Sequence, residues 1–321
     1  MQPKDNQKRL VRSLILSVLI SLIAYFAFVV FADVKAVVEA IGLLDVSAWL
    51  FVLGLSLVNY LLRFVRWELF LRHLNCVVPP GRSLLYYLAG FAFTTTPGKA
   101  GEAIRSVYLK DHSVRYVDSL AAFFTERLMD LVSMVILALL AAMHFPDYRW
   151  LVGGLTIGIL ALMPVVQSSW LQNQVERLPQ RVQSQRLKTL SEHFGNSLRS
   201  AASLLQPTLL FRGLVVGIIA WGAEGLAFYI IVTELNLDIT LLQAVGIYSV
   251  SVLIGALSFV PGGLGSTEAV MILLLKLLGA DTPTAIAATL ICRIATLWFA
   301  VAIGAASMGW LEVVGRRTRK E

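Results

Sequence analysis

Between Leu241 and Leu278 the chain is apolar enough to lie in lipid, yet Pro261-Gly262-Gly263-Leu264-Gly265 interrupts it, followed by the carboxylate of Glu268. A helix in a bilayer has no water to bind the N–H and C=O groups that such a break releases. Breaks survive there only where protein or a wet cavity covers them. The interrupted segment therefore has to sit within a bundle of other helices. A second break, Pro97-Gly98-Lys99-Ala100-Gly101-Glu102, has the same Pro-Gly-x-x-Gly form with a glutamate close behind. The two read as halves of one site.

Composition places both breaks in a membrane protein. Hydrophobic residues make up 57% of the 321, and charged ones only 15%. Soluble domains have roughly 45–50% and about 25%. The mean hydropathy is +0.75, and several apolar runs approach the ~20 residues that span a bilayer. Little length is left for a large soluble catalytic domain. The net charge of +7 fits cytoplasmic loops that obey the positive-inside rule and lie near anionic lipid, rather than nucleic-acid binding. Cys76 and Cys292 stand in no metal or redox spacing. No metal site and no cofactor are expected.

Taken in order, the chain predicts a first, uncleaved span at about Ser13–Ala32 and a second starting near Ser47. The second carries Arg63 and Arg66 on one helix face, three apart, with Trp67 beside them. These are either snorkelling arginines with an interfacial tryptophan, or a headgroup grip. Pro79-Pro80-Gly81 reads as a turn, and Leu84–Phe93 is too short to cross. The first break follows, then the basic run Arg105, Lys110, His112, Arg115, so this segment is expected to dip in from the cytoplasm and return.

The next span, about Asp118–Met143, holds Glu126, Arg127 and Asp130. Ionisable groups in a span face a bundle interior or a cavity, and Arg127 can pair with Asp130 three residues on. An outer loop at His144–Trp150 and a span at about Leu151–Val166 lead to a long polar segment, Gln167–Pro207. It is basic and amphipathic, and expected at the cytoplasmic leaflet. A span at about Thr208–Thr233 carries Glu224. Leu241–Phe259 then enters from outside, and Ala269–Leu278 returns after the second break. Asp281-Thr282-Pro283 is a helix start. The last span runs to about Met308 before a basic tail.

The reading is an all-α polytopic protein, a single integral membrane domain over 1–321. It has about six full crossings, two broken re-entrant hairpins and both termini in the cytoplasm. The first half, about 1–166, holds the break at 97–102; the linker is about 167–207; the second half, about 208–321, holds the break at 261–268. Twenty-five residues separate Glu102 from Arg127, and also Glu268 from Arg293. Interrupted segments at matching places in two halves point to a transporter site built from inverted repeats. Helix starts after each break would offer N–H groups to an anion such as phosphate, and arginines would grip it bidentately.

At these residues the chain resembles the flippase-like family named for the transmembrane region of lysylphosphatidylglycerol synthase, the membrane half of the multiple peptide resistance factor. The resemblance rests on Leu62–Trp67, Thr96–Arg105, Thr125–Asp130, Phe259–Glu268 and Cys292-Arg293, in order along nearly the whole chain. The family pattern places an arginine before the second motif's glutamate, where this chain has Thr267. The resemblance implies an integral membrane protein concerned with moving aminoacylated, glycosylated or isoprenoid-type lipids between leaflets. It does not carry over the synthase activity, since nothing here reads as the soluble tRNA-dependent transfer domain.

The function expected is therefore a lipid flippase or lipid-binding transporter in the cytoplasmic (inner) membrane of a bacterium, and not an enzyme. The expected partners are membrane lipids with an anionic phosphate headgroup. The expected binding residues are Arg63, Arg66, Pro97, Gly98, Gly101, Glu102, Arg105, Glu126, Arg127, Asp130, Glu224, Pro261, Gly262, Gly263, Gly265, Glu268 and Arg293. Arg127 and Arg293 are the expected phosphate anchors, and no catalytic residue is assigned. The alternatives are an accessory or scaffold subunit for a cell-envelope glycosyltransferase or lipid-modifying enzyme, docked through Gln167–Pro207, or an embedded lipid enzyme. The four scattered histidines form no catalytic set with a nucleophile and a carboxylate.

Overall fold

The computed structural model describes residues 42–142 and 185–317, with isolated positions at 39 and between 153 and 174. The crossings expected at Ser13–Ala32 and Leu151–Val166, the loop between 144 and 150, and most of the polar segment before 185 lie outside the described residues. Among the described residues every regular element is a helix. The protein is a polytopic all-α membrane protein.

Three described helices are long and apolar enough to cross a membrane: Val46–His73, Pro207–Glu234 and Thr282–Val313. At 1.5 Å per residue the first, with its 28 residues, is about 42 Å long. Tyr116–Ala142 has 27 residues, comparable in length, but carries Glu126, Arg127 and Asp130 in its middle. Leu241–Leu257, Ser266–Leu277 and the Pro80–Gly90 helix are shorter.

Local chemistry sets these boundaries. Asp45 caps the first helix, accepting from Val46 N–H and Ser47 O–H at 2.7 Å each. Thr240 and Gln243 form a reciprocal capping box at Leu241–Leu257. Asp281 stands extended before Thr282, with proline in the first turn. Pro79-Pro80-Gly81 is not the expected turn. Pro80 is the first residue of the Pro80–Gly90 helix, a place where its missing N–H costs nothing and its fixed φ suits the helix.

The chain groups into two compact units. One takes Met1–Tyr60, Leu85–Glu102 and Gly222–Glu321; the other takes Leu61–Leu84 and Ala103–Trp221. In the first, Leu241–Leu257, Ser266–Leu277 and Thr282–Arg293 pack in sequence order. The last helix crosses the Phe91–Phe93 turn so closely that a methyl group on Gly304 would overlap the Ala92 backbone. In the second, Gln185–Leu204 packs along Tyr116–Ala142, with the Ser200 hydroxyl donating to Asp118 at 3.1 Å. The described part of the polar segment is therefore docked on a neighbouring helix.

Candidate functional site

The densest chemistry lies in the unit formed by Leu61–Leu84 and Ala103–Trp221. Its centre is Glu126 and Asp130, one turn apart on Tyr116–Ala142. Arg63 Nη2 approaches Glu126 and Asp130 at 3.5 Å each. Arg66 Nη2 donates to Asp130 and lies 3.8 Å from Glu126. Arg105 Nη1 donates to Glu126 Oε2 at 3.0 Å, and Arg127 Nη2 stands 3.0 Å from Glu126 and 3.1 Å from Asp130. Four arginines against two carboxylates leave these six side chains a formal charge of +2. Arg66 and Arg105 are fully buried, and Arg127 is the most open of the four, its side chain 16% exposed.

Aromatic rings hold the guanidinium groups in place. Arg63 lies over Trp221 at 5.2 Å, Arg105 over Trp67 at 4.6 Å, and Arg127 over Phe123 at 5.6 Å, all within cation–π range. Trp221 also donates its indole N–H to Asp130 Oδ1 at 3.0 Å. Small residues let the helices close in: a methyl on Gly217 would stand 2.8 Å from Arg66 Nη1. Two nitrogens of Arg66, Nε and Nη1, find no hydrogen-bond acceptor, nor do the buried hydroxyls of Ser106 and Thr125 find a partner, among the described residues.

Arg63 and Arg66 thus do not snorkel, and Trp67, 1% exposed, is not an interfacial anchor. Both expectations treated the helix as lipid-facing on that side. Glu126 and Asp130 draw the arginines inward, and Arg105 stacks on Trp67. Trp221 and Phe123 were missed as site residues, because an isolated aromatic in an apolar run carries no periodic signal.

The other unit brings the two breaks together. Gly262, at φ +64°, lies so near Thr95 that a methyl group there would come within 3.3 Å of the Thr95 Cα. Gly98, at φ +58°, faces the Phe259 ring. Both positions need the left-handed backbone that glycine adopts without strain. Pro261, Gly263 and Gly265 complete the second turn, with Gly263 against Thr267 and Gly255. In the first, Gly101 donates its N–H to Thr96 Oγ1 at 2.6 Å, and Thr94 donates to Glu102 at 2.8 Å.

Arg293 Nε donates to Glu268 Oε1 at 2.6 Å, and its Nη2 to the Gly262 carbonyl at 2.6 Å. Glu268 Oε2 accepts the Gly265 N–H at 2.7 Å. Glu268 thus reaches back to the N-cap residue of its own helix, Ser266–Leu277. After the first break the 3-10 stretch Pro97–Ile104 runs directly into the short helix Arg105–Leu109. Glu224 accepts from the Tyr248 hydroxyl. Of the expected anchors, Arg127 belongs to the first cluster described and Arg293 to this second one.

Sequence comparisons agree with a membrane assignment. The family described as Lysylphosphatidylglycerol synthase TM region matches residues 14–304. The chain is 23% identical to a UPF0104 membrane protein of Methanothermobacter thermautotrophicus, over 91% of this chain and 93% of the relative. It is 23% identical to one from Pyrococcus horikoshii, over 85% and 90%. A third, from Methanocaldococcus jannaschii, is 26% identical over 67% of this chain and 92% of its own.

Proposed function

The chain belongs to the lysylphosphatidylglycerol synthase transmembrane-region family, and from that premise we propose that it moves an anionic lipid between the leaflets of a cell membrane, acting as a transporter rather than an enzyme. The observation that carries this is Arg66. It is fully buried, with Asp130 on Nη2 and, among the described residues, no hydrogen-bond acceptor on Nε and Nη1, in a cluster whose six charges sum to +2. A buried cation without its full set of acceptors is costly. A phosphate oxygen supplies both charge and lone pairs, and arginine forks suit it best. The Ser106 and Thr125 hydroxyls add two further donors. The lipid tails would remain in the bilayer while the headgroup takes the cluster, in a cytoplasmic membrane with both termini inside.

The test is reconstitution into vesicles with a fluorescent phospholipid whose outer-leaflet copies are bleached by dithionite. Wild-type protein should render the inner-leaflet copies bleachable. Arg66→Gln and Arg127→Ala should lose most of that rate while eluting as the same folded species, and Arg127→Lys should keep part of it. Wild-type rates in Arg66→Gln and Arg127→Ala would overturn the proposal.

A further inference from the structure

The two broken turns touch each other inside one unit, and each is tied within itself. In the first, Thr96 Oγ1 donates to the Phe93 carbonyl at 2.8 Å and accepts the Gly101 N–H at 2.6 Å. In the second, Ser266 Oγ donates to the Gly263 carbonyl at 3.0 Å, and Thr267 fills the space left by the bare backbones of Gly255 and Gly263. Each turn is therefore a compact body. They meet where a methyl on Gly262 would stand 3.4 Å from Thr95 Cβ, and where the Phe259 ring lies over Gly98.

Backbone conformation singles out this seam. Beside Gly98 and Gly262, Lys99 at φ +56° and Phe259 at φ +54° also adopt left-handed angles. A bulky side chain at such an angle is strained, and strain of this kind collects at clamps and switches. Nor does burial fix the Phe259 ring, since the residue is 72% exposed.

One helix holds both turns. Along Thr282–Val313, Arg293 donates to the Gly262 carbonyl at 2.6 Å, and Gly304 lies against the Ala92 backbone shortly before the first break. Between these two grips the helix widens into the π stretch Ile294–Trp298, a form that marks functional sites within helices. Tyr60 donates to the Thr296 carbonyl there at 2.6 Å and meets Phe91, which leads into the first break, edge-on at 5.1 Å. A change of winding between the grips moves one turn against the other.

We infer that the Thr95–Gly262 and Gly98–Phe259 contacts are a closed gate, that Ile294–Trp298 is the hinge on which it parts, and that lipid moves only when it does. The inference rests on the transport reading above.

A disulfide needs Cβ atoms about 3.5–4.5 Å apart. Thr95→Cys with Gly262→Cys, in a Cys76→Ser/Cys292→Ser background, should therefore cross-link on oxidation. The oxidised protein should lose nearly all of its lipid rate in vesicles and regain it on reduction, while oxidant leaves each single-cysteine variant unchanged. No cross-link in the folded protein would overturn the contact, and a wild-type rate in the cross-linked protein would overturn the gate. Spin labels at Ala100→Cys and Val260→Cys, both exposed, read the turns without any lipid movement. In nanodiscs they should report a short and a long separation, and Tyr60→Phe should raise the long fraction. A single short separation would overturn the gate; a fraction unmoved by Tyr60→Phe would overturn the hinge. If wild type moves no lipid at all, the transport reading falls, while the spin-label separations still decide whether the two turns part.

Discussion

Arg293 Nε sits 2.6 Å from Glu268 Oε1, although twenty-five residues and a helical turnabout separate them. The same guanidinium binds the Gly262 carbonyl, so one side chain closes the second break onto the helix that follows it. Both partners are buried. Removing either leaves the other charged and without its mate, a loss of about 3–5 kcal/mol. Arg293→Met and Glu268→Leu should each destabilise by that order, and the double variant by clearly less than their sum. Denaturant unfolding of all four proteins in detergent checks this; additive losses would deny the coupling.

Trp221 is predicted to matter through its N–H as much as its ring. Phenylalanine keeps an aromatic face under Arg63 but removes the 3.0 Å donor to Asp130. Losing a hydrogen bond to a buried ion costs roughly 1.5–3 kcal/mol. Trp221→Phe should therefore unfold earlier than wild type, and Trp221→Ala earlier still, in thermal scans of the detergent-solubilised protein.

Two glycines of the last helix should respond in opposite ways. Gly304 faces the Ala92 backbone with no room for a methyl group, whereas Gly309 has nothing within 4 Å of where a Cβ would stand. Gly304→Ala forces two backbones apart and should cost about 1–3 kcal/mol, as overpacking does. Gly309→Ala should be neutral or gain up to about 1 kcal/mol of helix propensity. Melting temperatures of the two variants against wild type decide it.

Cys76 follows the end of the first described span and is half-buried. Burial, and then the negative charge of Asp118, push its thiol above the ordinary range, with Arg115 opposing. A raised pKa means less thiolate at neutral pH, so maleimide labelling should be slower than for a free thiol and climb at higher pH. Asp118→Asn removes one raising cause and releases Arg115 from its two bonds at 2.7 and 3.0 Å, so labelling at a given pH should speed up. A Cys292→Ser background isolates the reaction to Cys76.

Local pattern made much of this protein legible. Apolar runs marked Val46–His73, Pro207–Glu234 and the last span within a few residues of where they start, because hydrophobic burial and helix spacing act over short stretches of chain. The one-turn spacing of Glu126 and Asp130 and the shared face of Arg63 and Arg66 announced two complementary surfaces. The Pro-Gly breaks announced covered backbone. Family motifs added order along the chain.

What the tertiary structure alone decided is who meets whom. Asp130 takes Arg66 from 64 residues away and Trp221 from 91; Gly262 meets Thr95, and Tyr60 donates to the Thr296 carbonyl across 236 residues. Periodicity names the face of a helix but not its partner. The partner depends on where helices cross, and here close crossings fall at Gly217 and Gly304, where a missing side chain lets another element in. The sequence by itself established a bundle of membrane helices with broken, charged interiors; helix packing decided that four arginines share two carboxylates in one unit, and that Arg293 joins Glu268 to the Gly262 carbonyl in the other.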